Sequence, residues 1–383
     1  MRNIAAYIAV VLIGTLVTLV ANRPAKTISL RIGYTAQPDE RKVHQMVTPY
    51  GGGGAMMIGF CVALIAAFAI PTLRGVITSS HEMLGVLVAT AVIFVIGVVD
   101  DFREMSAPAK VAGQFLAASV LYLSGCTMYQ LKLPFAGFVV LGPAILPIIT
   151  AVWVVALTNA INLIDGLDGL AGGIVAIASA TLCVYGLRLE DLGLLPVTNV
   201  GPLIAALTCG ICLGFLRDNF HPAKLFMGDA GALMLGLLMS ASTMVIGGRT
   251  PPTSGVTFFF FAPLLIPVFI LGVPLADATW AFIRRTASGQ GFHTPDKNHI
   301  HHRLMRLGHG HRRTVIILWL WTAVLCGFVL LPLFYNRANG LIPLGVGVLL
   351  IALFTWFSPL LSRLVRINPR REAVDEPSDE VLQ

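Results

Sequence analysis

Two adjacent carboxylates, Asp100 and Asp101, end an apolar run in the stretch VVDDFREMSAPAK. At a helix C-terminus the dipole disfavours both, and they repel each other. Solvation at a membrane edge accounts well for the following Arg103 and Glu104, but poorly for the pair. Adjacent carboxylates suit a magnesium ion, or a base whose pKa is raised by its neighbour. Ser106 and Pro108 mark the start of the next helix, which puts Lys110 in its first turn. The dipole disfavours a cation there, and an anionic ligand nearby would relieve it.

Four further constellations carry polar chemistry. In NAINLIDGLDGLAGG, Asn159, Asn162, Asp165 and Asp168 recur at intervals of three. On a helix this brings the first three near one face, and Gly166 and Gly169 permit a sharp break. Asp168 alone could be a plain N-cap; two Asn and an Asp ending an apolar helix are functional candidates. In FMGDAG, Asp229 is either an N-cap or a metal-binding carboxylate at a glycine-flanked helix start. Phe226 stacks on a base or anchors at the interface. In GFHTPDKNHIHHR, His299, His301, His302 and Arg303 present donors suited to phosphate oxygens. A zinc cluster there lacks a thiolate or a well-spaced fourth ligand. In RKVHQMVTPYGGGG, Arg41, Lys42 and His44 offer a landing site for an anionic lipid head, and the glycines a hinge or a close-packing helix start.

The elements that must position these residues are membrane helices. The 383 residues are 56% hydrophobic and 12% charged, with a mean hydropathy of +0.82. An ordinary soluble domain carries about 25% charge. Soluble enzyme, disordered chain and transmembrane β-barrel are all excluded. The expected fold is an all-α integral membrane protein, a polytopic bundle of about eleven helices. The spans are read at roughly 4–21, 54–73, 83–99, 110–126, 144–162, 168–187, 200–216, 229–247, 256–275, 314–334 and 341–360. Residues 1–362 form one transmembrane domain and 363–383 a charged, disordered cytoplasmic tail. Cys209 and Cys212 form a C-x-x-C inside a span and read as small-residue packing.

By parity, 20 of the 26 Lys and Arg residues fall on one side, which puts the N-terminus outside and the C-terminus in the cytoplasm. Acidic residues played no part in that assignment, yet 16 of 19 fall on the same side. All five constellations do too. The net charge of +7 is therefore an orientation signal and a phosphate-binding surface, and no nucleic-acid partner is expected. A transporter would place ionisable groups near the bilayer midplane, where these spans are almost bare of charge. Several carboxylates, amides and basic groups at one membrane face suggest Mg²⁺ with phosphates.

Together the motifs R-K-V-H-x-x-x-T-P-x-x-G-G, D-D-x-x-x-x-S-A-x-x-K, N-A-x-N-L-x-D-G-L-D-G-L-A, F-M-G-D-x-G and H-I-H-H-R-L closely resemble the polyprenyl-phosphate N-acetylhexosamine-1-phosphate transferases. The match runs from about 41 to 304 in family order. H-I-H-H-R-L resembles the branch using UDP-N-acetylglucosamine (UDP-GlcNAc). The alternative, the phospho-N-acetylmuramoyl-pentapeptide transferases of peptidoglycan synthesis, carries a triple histidine where this chain has Ile300. Val47 stands where the branch usually has proline.

The resemblance implies transfer of GlcNAc-1-phosphate to undecaprenyl or decaprenyl phosphate, with release of UMP, at the cytoplasmic face of a bacterial inner membrane. Its cofactor is Mg²⁺, with Mn²⁺ as a substitute. Its partners are UDP-GlcNAc, the polyprenyl phosphate and membrane lipids. Homodimers are common in the family, and no sequence feature establishes one here. In the roles it implies, Asp229 with Asn162 holds Mg²⁺. Asp100 deprotonates or orients the lipid phosphate and Asp101 assists. Asp165, Asp168 and Phe226 bind the uridine side. Lys110, His299, His301, His302 and Arg303 contact phosphates or sugar, while His44 and Asn159 complete the substrate-binding set.

Overall fold

The computed structural model describes residues 4–36, 47–133, 137–249, 310–334, 345–349 and 351–352. Among them, eight helices are long and apolar enough to cross a membrane. The helices are α1 (Ile4–Arg31), α2 (Gly52–Ala69), α3 (Pro71–Thr78), α4 (Glu82–Arg103), α5 (Ala107–Leu123), α6 (Leu146–Ile164), α7 (Leu170–Asp191), α8 (Gly201–Asn219), α9 (Gly228–Gly247) and α10 (His311–Phe334). Two antiparallel pairs of short strands accompany them: β1 (Thr35–Ala36) with β2 (Thr48–Pro49), and β3 (Gln130–Leu133) with β4 (Gly137–Val140). The expected polytopic helical bundle is what forms, with these strand pairs as an addition to an all-α reading. The expected span at 256–275 lies outside the described residues, as do most of 341–360 and all of the tail; residues 345–349 and 351–352 are helical.

Helix α9 is the core. It packs against α2, α4, α6, α7 and α8, while α1 lies outside against α2 and α8 and α10 lies against α7. Lipid tails supply no hydrophobic drive between helices, so association depends on close backbone approach at small residues. Gly97 on α4 illustrates this: a Cβ there would stand 2.4 Å from Ala230 Cα and 2.5 Å from Ala230 N on α9. Cys209 and Cys212 are buried in α8.

Two helix boundaries differ from the sequence reading. The first helix was expected to end near residue 21, yet α1 continues through Pro24 to Arg31. At 1.5 Å per residue its 28 residues span about 42 Å, more than the roughly 30 Å hydrocarbon core. The extension is held by polar side chains turned inward. Asn22 Nδ2 donates to Gly214 O (3.1 Å) and Asp218 Oδ2 (2.9 Å) on α8, and Ser29 Oγ donates to Tyr50 O (3.2 Å). The second span was expected to run unbroken from 54 to 73. Instead Ile70 adopts φ −84°, ψ 118°, and Pro71 opens a separate α3, because the residue before proline is pushed out of the helical region.

Alternating helix directions bring the C-termini of α1, α4, α6 and α8 and the N-termini of α2, α5, α7 and α9 to one end. At the opposite end Arg249, just after α9, pairs with Glu82 at the start of α4 (2.7 Å) and donates to Gly125 O (2.6 Å). Parity had put Glu82 and Arg249 on the same side, and they meet. Substituting Gly97 by Ala should force α4 from α9 and cost about 1–3 kcal/mol. The expected result is a lower thermal unfolding temperature of the purified protein in detergent.

Candidate active site

At the convergent end, Asp100 and Asp101 part ways. Helix α4 stops at Glu104, which adopts a left-handed φ of 44° and whose N–H donates to Asp100 O (2.9 Å). The turn lets Met105 N–H donate to Asp100 Oδ1 (2.7 Å) and leaves Oδ2 facing Lys110 Nζ at 2.7 Å. Asp101 points at α9 instead. Its Oδ1 accepts the N–H of Asp229 (2.8 Å) and its Oδ2 accepts that of Ala230 (3.1 Å). A carboxylate at a helix N-terminus satisfies N–H groups that have no partner within the helix, and it meets the positive end of the dipole. The repulsion expected of the pair is thus relieved by a second helix. The N-cap alternative for Asp229 is corrected: Met227 holds that position, and Asp101 supplies the capping carboxylate from another helix.

The cap needs Gly228. Its φ is +66°, and a Cβ would stand 2.5 Å from Asp101 Oδ2. This is the physical role of the glycine before Asp229.

Asp229 is thereby aimed into the site. Asn162 Nδ2 donates to its Oδ1 (2.6 Å), and Lys110 Nζ bonds its Oδ2. Lys110 therefore sits between Asp100 and Asp229, and the anions that compensate it in the first turn of α5 are the protein's own. Two carboxylates converging on one positive charge are a hard-oxygen donor set, and Mg²⁺ is typically held by one or two carboxylates plus substrate phosphates. The residues present fit that ion, with Asn162 orienting Asp229 through its amide.

Asp165 follows α6, and Asp168 lies three residues on. Burial, followed by the charges of Asp229, Asp101 and Asp168, pushes the Asp165 carboxyl well above the ordinary range. Asp168 is not the N-cap of α7; Gly169 holds that place with φ +79°. Asp168 Oδ2 instead lies 2.7 Å from His221 Nδ1 and accepts the N–H of Ala223 (3.1 Å). Asn159 is not brought to the carboxylates. It is exposed, and its Nδ2 donates to Gln114 Oε1 (2.8 Å) and Val155 O (2.7 Å). His44, His299, His301, His302 and Arg303 lie outside the described residues.

Phe226 is stitched to the strand before α2. Its N–H donates to Pro49 O (2.9 Å), and Gly52 N–H donates to its O (2.9 Å). Its ring lies 6.1 Å from that of Tyr50, which is 5.5 Å from Tyr34, which stacks on Phe102 at 4.4 Å. Tyr34, absent from the sequence reading, donates its hydroxyl to Asp101 Oδ2 (2.5 Å). Burial, then the Asp101 charge, raises its pKa and keeps that proton in place. His221, Gln114 and Tyr50 were also not foreseen as site residues. His221 and Gln114 are single polar residues outside any spaced pattern, and Tyr50 fills an unspecified position of the R-K-V-H-x-x-x-T-P-x-x-G-G motif.

A carboxyl raised in the folded state binds more protons there than when unfolded. Its stabilising contribution is full below the unfolded value of about 3.9 and is lost as pH rises through the folded value. In metal-free protein Asp165→Asn should therefore flatten the fall in stability over the range from about pH 4 upward. We expect it to raise the unfolding temperature at the upper end by about 2–4 °C, read by thermal melts across that range.

A family model described as glycosyl transferase family 4 matches residues 83–247. The chain is 37% identical over 359 residues to the decaprenyl-phosphate N-acetylglucosaminephosphotransferase of Mycobacterium tuberculosis, covering 92% of this chain and 88% of that one. It is 38% identical over 315 residues to a Bacillus subtilis protein named "Probable undecaprenyl-phosphate N-acetylglucosaminyl 1-phosphate transferase", covering 82% and 81%. It is 30% identical over 325 residues to the phospho-N-acetylmuramoyl-pentapeptide-transferase of Clostridioides difficile, covering 79% and 90%. The matched segment holds Asp100, Lys110, Asn162 and Asp229, whose side chains meet at one end of the bundle, and Asp165 at the end of α6. The chain belongs to glycosyl transferase family 4, the polyprenyl-phosphate N-acetylhexosamine-1-phosphate transferases, and within it to the N-acetylglucosamine-1-phosphate branch.

Proposed function

We propose that the protein transfers GlcNAc-1-phosphate from UDP-GlcNAc to undecaprenyl or decaprenyl phosphate, giving polyprenyl-diphospho-GlcNAc and UMP. The observation that carries this reading is the Asp100–Lys110–Asp229 triad at the wet end of an apolar bundle. Relatives named for this transfer support it, those of Mycobacterium tuberculosis and Bacillus subtilis at 37–38% identity over most of the chain. A phosphate oxygen of the lipid attacks the β-phosphorus of UDP-GlcNAc. A new P–O bond joins the two phosphates, and the bond from the β-phosphorus to the bridging oxygen breaks, leaving with UMP.

The contacts of the described residues support the following roles. Asp100, whose Oδ1 accepts the Met105 N–H and whose Oδ2 faces Lys110 Nζ, deprotonates or aligns the lipid phosphate. Lys110 passes from the two carboxylates to the phosphate oxygens as charge develops in transfer. Asp229, aimed by Asn162 and by the Asp101 cap, is the principal metal ligand, with Asp100 beside it. Mg²⁺, when bound there, neutralises charge on the diphosphate, and Mn²⁺ substitutes for it. Asp165, Asp168 and Phe226 line the nucleotide side. His44 and the His299, His301, His302 and Arg303 group supply further phosphate or sugar contacts.

The face is assigned to the cytoplasm, with the N-terminus outside and the C-terminus inside. Support comes from the excess of Lys and Arg on the side to which parity assigns these helix ends. UDP-sugars are cytoplasmic and the lipid stays in the bilayer, so they meet only at such a boundary.

The test uses purified protein, polyprenyl phosphate, Mg²⁺ and radiolabelled UDP-GlcNAc, scored for UMP and a lipid-linked product. Product is expected with UDP-GlcNAc; product only with the muramoyl-pentapeptide nucleotide would overturn the specificity. Asp229→Asn, Asp100→Asn and Lys110→Met should each lower turnover by about 10²–10³-fold or more. An Asp229→Asn protein with unaltered Mg²⁺-dependent turnover would remove it as the metal ligand.

A further inference from the structure

Beside the triad lies a second cluster of different chemistry. Asp168 in the turn between α6 and α7, His221 in the α8–α9 connection and His311 at the first position of α10 converge from three elements. One ligand atom from each lies within 4.8 Å of the other two. The imidazole rings of His221 and His311 are stacked, with centroids 4.0 Å apart and planes within 15°. An Asp–His hydrogen bond accounts for Asp168 and His221. It accounts less well for His311: among the described residues both of its ring nitrogens are buried and neither makes a hydrogen bond of normal geometry, although the Asp168 backbone lies beside it. Burying such a group without a partner is unfavourable, and a ligand that accepts its lone pair removes the cost.

We propose that Asp168, His221 and His311 bind a divalent transition-metal ion of the zinc class, distinct from the oxygen-donor site at Asp100 and Asp229. Two imidazole nitrogens and one carboxylate oxygen match the donors that zinc takes, with a fourth position left for water, whereas magnesium selects oxygen alone. The surroundings hold the ligands as outer contacts of metal sites do. Ala223 N–H donates to Asp168 Oδ2 (3.1 Å), and Arg312 Nε donates to the His221 carbonyl (2.8 Å). The side chain of His221 is 36% exposed and that of Asp168 15%, so an ion can enter from water. Admitting an ion requires the 2.7 Å Asp168–His221 contact to open by about 0.6–0.9 Å, to the spacing of tetrahedral ligands at about 2.0–2.2 Å from the metal. An ion so held joins the start of α10 to the loop carrying Asp165 and places a positive charge beside that carboxylate.

The experiment is a titration of chelator-treated, full-length protein in detergent with Co²⁺, in the presence of millimolar Mg²⁺ and without substrate. One Co²⁺ per chain is expected, with a visible absorption band of nitrogen–oxygen coordination that Zn²⁺ displaces and Mg²⁺ does not. His221→Ala and His311→Ala should each weaken binding by at least about 10–100-fold. Should an alanine variant not fold, His311→Gln keeps the volume and an amide but removes the imidazole, and the same loss is expected. A wild-type protein that binds no Co²⁺ above Mg²⁺ overturns the proposal. So does wild-type binding by the His221 and His311 variants, which would put the ion on the histidines of 293–302. Binding is read without turnover, so this result stands apart from the transferase assay.

Discussion

The carboxylate of Asp101 on the first N–H groups of α9 is the contact from which the site is built. Helix α9 is enclosed by five neighbours, and its N-terminus opens where α4 ends. Inside a membrane protein, backbone donors must find partners within the molecule. Asp101 provides two acceptor atoms for two of them, and Tyr34 fixes the carboxylate from the other side. The direction of Asp229, the next functional group along α9, follows from that anchorage. Because Gly228 alone leaves room for the carboxylate, the spacing of F-M-G-D is a consequence of the cap as much as of the chemistry.

The pair Asp100-Asp101 thus divides its labour between two helices. Asp101 serves the architecture of α9; Asp100 turns back toward α5 and meets Lys110. Without a ligand, Lys110 bridges Asp100 and Asp229 and offsets part of their negative charge. A bridging ammonium is an exchangeable partner: phosphates offer it the same oxygen chemistry that the carboxylates do. The bundle keeps these few charges together by being apolar elsewhere. The opposite end holds its own neutral pairing of Arg249 with Glu82, away from the reactive groups.

Much of this was legible along the chain. Apolar runs of membrane length located most of the helices, because hydrocarbon thickness sets a length that sequence displays directly. Lys110 was singled out as a cation in an unfavourable place, and Asp229 as a carboxylate at a helix start; both prove central to the cluster. The reading was less successful where a local rule met a distant partner. The end of α1 was placed at Asn22-Arg23-Pro24, yet Asn22 reaches α8 and the helix continues. The interval of three put Asn159 with Asn162, yet Asn159 turns to Gln114 on α5 while only Asn162 reaches Asp229.

The sequence by itself determined the class of fold, the wet end of the bundle and the family, because hydropathy, charge and motif spacing are all properties of neighbours along the chain. Only the tertiary structure decided which aspartate caps and which faces Lys110. It alone brought Tyr34 to Asp101 and His311 to His221. Those partners are separated by 67 residues in the first case, and each pair joins a connecting segment to a helix far along the chain. Hydrogen-bond geometry is settled across such distances by helix packing, and no local pattern encodes it.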